Sequence, residues 1–175
     1  MKTIVIYHSQ TGFTKRYAEW IAENVNADCL ELCQAQKKDL SLYQTIIFGS
    51  WAFAGSIRKI GWFKKNINEW KSKKLIIFCV GASPIDCPEV KQALNNFRSD
   101  LERENVKVFY CPGGINYERM PATSKLMMKI FLNGLKAKKE KTQTETEMLK
   151  MISSSYDISN PRYIEPILEE LNLNN

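Results

Sequence analysis

The chain has 175 residues, 44% of them hydrophobic, which is enough for one domain with a real core. It contains no apolar run long enough to span a membrane, and the five apolar residues behind Lys2 are too few for a secretory signal, so a cytoplasmic location is expected. Lys and Arg number 25 against 19 Asp and Glu, a net charge of +6, and the excess is clustered: residues 58–74 and 119–141 each hold seven basic residues and one acidic one. Such clusters bear on partners rather than on fold, and solvated lysines on helix faces are the alternative reading. The five cysteines are spaced 4, 46, 8 and 24 residues apart, which fits no zinc or iron–sulfur pattern, and their odd number argues against a disulfide framework. One histidine cannot build a histidine-rich metal centre.

Thr3–Tyr7 is a short β-prone run with little polar alternation, as in a strand covered on both faces. His8, Ser9, Gln10, Thr11, Gly12, Phe13 and Thr14 follow, and a helix begins directly behind them, with Tyr17, Ala18, Ile21, Ala22 and Val25 as its apolar stripe. A polar turn that opens a helix offers unpaired backbone N–H groups at the positive end of the helix dipole, which suits a phosphate. Neither GxxxxGK[ST] nor GxGxxG is present, so the turn suits a single phosphate without a cation, held by the Ser9, Thr11 and Thr14 hydroxyls and the Gln10 amide. The competing reading is an ordinary polar strand-to-helix turn.

Residues 29–33 read as a second strand, 37–42 as a polar connector, and 43 with 45–49 as a third strand. Ser50, Trp51, Ala52, Phe53, Ala54 and Gly55 then form a loop in which two large aromatics stand among small residues. The spacing of Ile60, Phe63, Ile67 and Trp70 predicts a helix over 57–70. Residues 74–80 are a fourth strand, ending in the small residues Gly81, Ala82, Ser83 and Pro84, with Cys87 at the far end of that loop. Residues 89–105 read as a helix behind Pro88, and 106–111 as a fifth strand.

Strands of buried type alternating with helices mean an α/β layer fold with a mainly parallel sheet and helices on both faces. Ligands of such sheets lie beyond the carboxyl ends of the strands. The loops at 9–14, 50–55 and 81–87 all follow strands and should share one edge.

The tail is less regular. Residues 115–121 read as loop and 123–139 as a helix carrying Leu126, Met127, Ile130, Phe131 and Leu135 against five lysines. Its two faces suit either an anionic membrane surface or, as we expect, the protein on one side and water on the other. Residues 141–147 read as extended or mobile and 156–160 as loop. Asn160 and Pro161 open a last helix that runs to Leu171.

A ligand that uses all three loops is flat at one end and singly phosphorylated at the other, and flavin mononucleotide (FMN) fits. Trp51 or Phe53 would stack on the ring, backbone groups of 81–87, from Gly81 to Cys87, would line its other side, and a carbonyl of 52–55 would accept from its N5–H. The pattern Tyr7-x-Ser9-x-Thr11-Gly12-x-Thr14, with an aromatic loop after the third strand and a small-residue loop after the fourth, resembles the flavodoxin family over residues 1–111 and the final helix. The resemblance implies a three-layer α/β/α sandwich with a five-stranded parallel sheet of order 2-1-3-4-5, non-covalent FMN, and one- or two-electron transfer. It places Ser9, Gln10, Thr11, Gly12, Phe13 and Thr14 at the phosphate, Ser50 to Phe53 on the first flavin loop, and Gly81, Ala82 and Ser83 on the second. The chain departs from typical flavodoxins in being basic, in lacking an aromatic in 81–87, and in carrying an insert-like basic region at 113–158. That region opens Gly113-Gly114-x-x-Tyr117, continues in a Lys/Met-rich helix and ends in Thr142-x-Thr144-Glu145. In these features it resembles the flavodoxin-type protoporphyrinogen oxidase subfamily, which oxidises protoporphyrinogen IX with FMN and passes electrons to a quinone or another acceptor.

Three functions follow. The first is an FMN-binding electron-transfer protein. The second is an FMN-dependent oxidoreductase of protoporphyrinogen oxidase or quinone reductase type. The third is a non-catalytic interaction module with a basic surface. The expected partners are a redox protein or a small acceptor such as a quinone or porphyrinogen, with peripheral contact to anionic membrane as a further option. The basic runs contain no nucleic-acid recognition module. No catalytic acid or base is assigned, since His8 sits in the phosphate turn.

Overall fold

A computed structural model describes residues 2–53, 55–101 and 105–172. Five strands, β1 (Thr3–Tyr7), β2 (Asp28–Glu31), β3 (Thr45–Phe53), β5 (Lys74–Gly81) and β6 (Val106–Pro112), form a parallel sheet ordered β2-β1-β3-β5-β6. A two-residue strand, β4 (Ser56–Ile57), pairs antiparallel with the end of β3. With β4 set aside, the main strands stand in the order 2-1-3-4-5, the flavodoxin-like arrangement.

Alternation along the strands sends neighbouring side chains to opposite faces. Ile4, Ile6, Ile46, Phe48 and Ile77 bury one face beneath α3 (Ile60–Asn66) and α4 (Pro88–Leu101), with Phe63, Trp70 and Leu101 against them. Val5, Ile47, Ile76 and Phe78 bury the other beneath α1 (Phe13–Val25) and α7 (Glu165–Asn172), packing on Tyr17, Ile21 and Ile167. Tyr17 is fully buried. Its hydroxyl donates to the Pro112 carbonyl at 2.6 Å and accepts from the Asn160 N–H at 3.1 Å, so it ties α1 to the end of β6 and to the 3-10 turn Pro161–Ile164 that precedes α7.

Several elements differ from their predicted form. The second strand stops at Glu31, and the one-turn helix α2 (Leu32–Ala35) follows it. The predicted helix over 57–70 is shorter. Ile57 is in β4, and beyond Asn66 the chain turns through i to i+3 bonds (Glu69 N–H to Asn66, Trp70 N–H to Ile67) that still bury Ile67 and Trp70. The helical spacing was therefore real, while the hydrogen bonding that realises it is mixed. In the helix predicted over 89–105, residues 102–104 lie outside the described residues.

Residues 113–158 build a second, smaller core. Gly114–Ile115 (β7) pairs antiparallel with Tyr156–Asp157 (β8), although residues 115–121 and 156–160 read as loop in sequence. Between them stand α5 (Ala122–Ala137) and α6 (Gln143–Met151), with Ile115, Leu135 and Ile152 buried at the centre. The expectation of an extended or mobile 141–147 fails. Thr142 caps α6 in a reciprocal box with Glu145: its hydroxyl accepts from the Glu145 N–H, and its own N–H donates to the Glu145 carboxylate, both at 3.1 Å. Among the described residues no helix is long and apolar enough to cross a membrane.

Candidate flavin site

At the carboxyl edge of the sheet the chain leaves β1 through the turn His8–Gly12. Gly12 has φ of 104°, a left-handed conformation that favours glycine, and it stands as N-cap of α1. Its N–H donates to Ser9 Oγ at 3.2 Å. Thr14 is buried in the first turn of α1. Beside this turn β3 runs on past the sheet. Residues 50–53, predicted as loop, are strand: Ser50 and Trp51 pair with Cys79 and Val80 of β5, and Ala52 and Phe53 pair with Ile57 and Ser56 in a hairpin. The hairpin fixes the two aromatics. Trp51 stacks on His8 with ring centroids 4.6 Å apart and 28° between the planes. Phe53 lies under the Arg58 guanidinium, 4.8 Å from the ring centroid. The Trp51 carbonyl is taken by the Arg58 N–H at 2.9 Å.

The His8 imidazole is held below its ordinary pKa, first by burial and then by Lys59. This favours the uncharged form of the ring that packs on Trp51. The third loop is held from beneath: the Tyr156 hydroxyl donates to the Ala82 carbonyl and the Tyr110 hydroxyl to the Ser83 carbonyl, each at 2.7 Å. Burial pushes the Tyr156 phenol up to about 12, so it remains a donor throughout the neutral range.

These loops enclose a cleft of about 590 Å³. Gln10, Thr11, Phe13 and Thr14 line one end, Trp51, Ala52 and Phe53 one flank, and Gly81, Ala82 and Ser83 the floor. Five of the fifteen predicted cofactor residues that are described are not brought into it. Ser50 is 0% exposed, and its Oγ has no hydrogen-bond partner among the described residues. Ser9 stays in the turn, bonded to Gly12. Gly12 lines a neighbouring cavity of about 520 Å³ instead. Gly55 sits in the β3–β4 turn and borders smaller cavities. Cys87 packs toward the α3–α4 face, and burial raises its thiol pKa. Ala54 lies outside the described residues.

Sequence reasoning missed the wall opposite the flavin loops. Met120, Met127, Met128 and Phe131, on and just ahead of α5, and Met148 and Met151 on α6, close the cleft from that side. Five of the chain's six methionines are there, all between residues 120 and 151, a cluster visible in sequence. The expectation that the apolar face of α5 packs on the protein holds in part. Leu135 is buried and Met128 and Leu132 pack inward, yet Leu126, Met127, Ile130 and Phe131 are exposed, Ile130 to 64%.

A flavodoxin-domain family model matches residues 4–143, and the chain belongs to that family, one of FMN-binding electron-transfer domains. Among solved structures it is similar to the WrbA-like flavodoxin of Agrobacterium tumefaciens, at 21% identity over 66% of this chain and 85% of that one, with a TM-score of 0.50. It is also similar to a flavoprotein of Bacteroides uniformis, at 20% identity over 73% and 97% with a TM-score of 0.47. A third is a flavoprotein of Lactobacillus acidophilus solved in complex with FMN, at 18% over 63% and 91% with a TM-score of 0.44. At these identities the likeness is one of fold. None of the curated proteins searched matches the chain.

The residues present fit FMN. The cleft has the volume of a small-molecule site. Hydroxyl and amide donors meet the amino end of α1 at one extremity, and the flank carries two aromatics with no charged side chain among its lining residues.

Proposed function

We propose that the chain holds FMN non-covalently in this cleft and transfers electrons through it. The observation that carries the reading is the single cleft that joins the turn before α1 to Trp51, Phe53 and Gly81–Ser83. Bound FMN supplies one- or two-electron redox chemistry at its ring. Thr11, Thr14 and Gln10 donate to the phosphate together with the free N–H groups of α1. Trp51 and Phe53 present apolar faces to the ring, and His8 backs Trp51 as a neutral spacer. The methionine wall excludes water from the opposite side. Aerobically purified protein should show flavin absorption bands or quench added FMN fluorescence, and folded protein that does neither contradicts the reading.

A second reading, an oxidoreductase acting on an apolar small molecule such as a quinone or a porphyrinogen, draws on the methionine wall and on α5. Unbranched thioethers adapt to an irregular apolar guest. The exposed Leu126 and Ile130 stand on the same helix as Lys125 and Lys129, a composition suited to an anionic membrane surface from which such a guest would enter. Vesicles of anionic lipid that carry a quinol are expected to retain the FMN-loaded protein and bleach its flavin anaerobically. Absence of bleaching by either a quinol or a reduced porphyrinogen contradicts this second reading and leaves the first in place.

A further inference from the structure

We propose that Arg119, a residue far from the phosphate turn in sequence, is the cationic ligand of the FMN phosphate and sets the preference for FMN over riboflavin; this rests on the cofactor reading above. The turn's own side chains, Ser9, Gln10, Thr11 and Thr14, are all neutral. Arg119, from the 113–158 region, is exposed beside that turn, where with Thr11, Gly12 and Phe13 it lines the cavity of about 520 Å³ that adjoins the flavin cleft at Thr11 and Phe13. A methyl group placed on Gly12 would lie 3.1 Å from Arg119 Nη1.

Positive charge gathers at this exposed position. The first turn of α1 contains no acidic residue, and Lys15 and Arg16 stand close to it. Lys15 is paired with Glu19 at 3.6 Å, and Arg16 with Asp157 at 2.5 Å. Among the described residues the Arg119 guanidinium has no carboxylate partner. A third cation beside the positive end of a helix is repelled by the dipole. Hydrogen bonds fix the backbone that carries it. The Arg119 N–H donates to Asn116 Oδ1 at 2.9 Å, and the Tyr117 N–H and hydroxyl donate to Ser155 Oγ at 3.0 Å and to the Ile152 carbonyl at 2.6 Å.

A second contact joins the same segment to the turn. Ser124 Oγ donates to Gln10 Oε1 at 3.3 Å, which leaves the Gln10 NH2 as a donor at the cleft. An anion between Arg119 and the amino end of α1 resolves the repulsion. A phosphate monoester, with a charge near −2 at neutral pH, is such an anion, and a guanidinium gives it short charge-assisted bonds that no neutral donor in the turn can match.

The test titrates unmodified protein, Arg119→Ala, Arg119→Lys and Lys15→Ala with FMN and with riboflavin, following flavin fluorescence. Arg119→Ala is expected to weaken FMN binding by about tenfold to a hundredfold and riboflavin binding by less than about twofold. Arg119→Lys should fall between, and Lys15→Ala should change neither by more than about twofold. Equal weakening of both flavins by Arg119→Ala, which a merely structural role would give, overturns the inference, as does unchanged FMN binding. If the unmodified protein binds FMN tightly and Arg119→Ala binds it equally well, only this inference fails. If the unmodified protein binds neither flavin, the cofactor reading fails and takes this one with it.

Discussion

Gly114→Ala is expected to release the wall of the flavin cleft. Gly114 has φ of 146°, and a methyl group there would lie 2.1 Å from the backbone carbonyl oxygen of Tyr156. The obstacle is backbone, so no side-chain rotation relieves it. The pairing of Gly114 with Asp157 and of Ile115 with Tyr156 must open, or the strain must be carried, at about 2–5 kcal/mol from clash and backbone conformation together. Because β7–β8 closes the 113–158 region, the chain can escape most of this cost by opening that region locally while the five-stranded sheet survives. The fall in melting temperature should therefore stay below the ~5–20 °C that the full strain would give for a chain of this size. Limited proteolysis should find new cleavage sites within 113–158, and FMN affinity should drop with the loss of Arg119 and the methionine wall. An unchanged protease pattern together with unchanged FMN affinity would show that this pairing does not hold the site.

Trp51→Ala is expected to cost FMN affinity more than any other single change on the strand side of the cleft. One face of the indole is covered by His8, so the ring is held rigidly by the β3–β4 hairpin and by that stack. Aromatic stacking on a planar base contributes about 1–3 kcal/mol, which corresponds to roughly five- to 150-fold in dissociation constant. Trp51→Phe should retain most of this. Phe53→Ala should cost less, because a phenyl ring offers a planar ligand less area than an indole. Titration of the three variants with FMN ranks them, and a larger loss for Phe53→Ala than for Trp51→Ala would assign the stack to Phe53.

The part of this site that lies on the sheet was legible in the sequence, because it depends on short-range signals. A β-prone run, a polar turn with Gly12 and a 3.6-residue stripe specify β1, the turn and α1 wherever they occur. The runs at 29–33, 45–49, 74–80 and 106–111 gave the other parallel strands in chain order. Trp51 and Phe53 were singled out as candidate ring contacts, and they do line the cleft, but they were misplaced as structure, because nothing local announces that β3 continues until it meets β4. Thr142 and Glu145 did announce α6 through their capping spacing, a signal that the polar composition of 141–147 obscured. The methionine wall and the placement of Arg119 beside the phosphate turn were not legible in the sequence. The periodicity of α5 shows that one face is apolar, but what that face covers depends on the β7–β8 pairing, a contact between residues some forty positions apart.

The same division explains how a basic chain accommodates a family fold. The cofactor end of the cleft comes from elements that any flavodoxin domain must build. The charge near the phosphate turn and the apolar wall come from 113–158. On the proposals above, cofactor retention and the choice of guest would both draw on this region, which is why Gly114→Ala should disturb both at once.

The most direct measurement of the central claim is titration of folded protein with FMN under dialysis or fluorescence quenching. The account predicts saturation at one FMN per chain, with riboflavin bound more weakly. Folded protein that leaves FMN fluorescence unquenched at every concentration tried would contradict it.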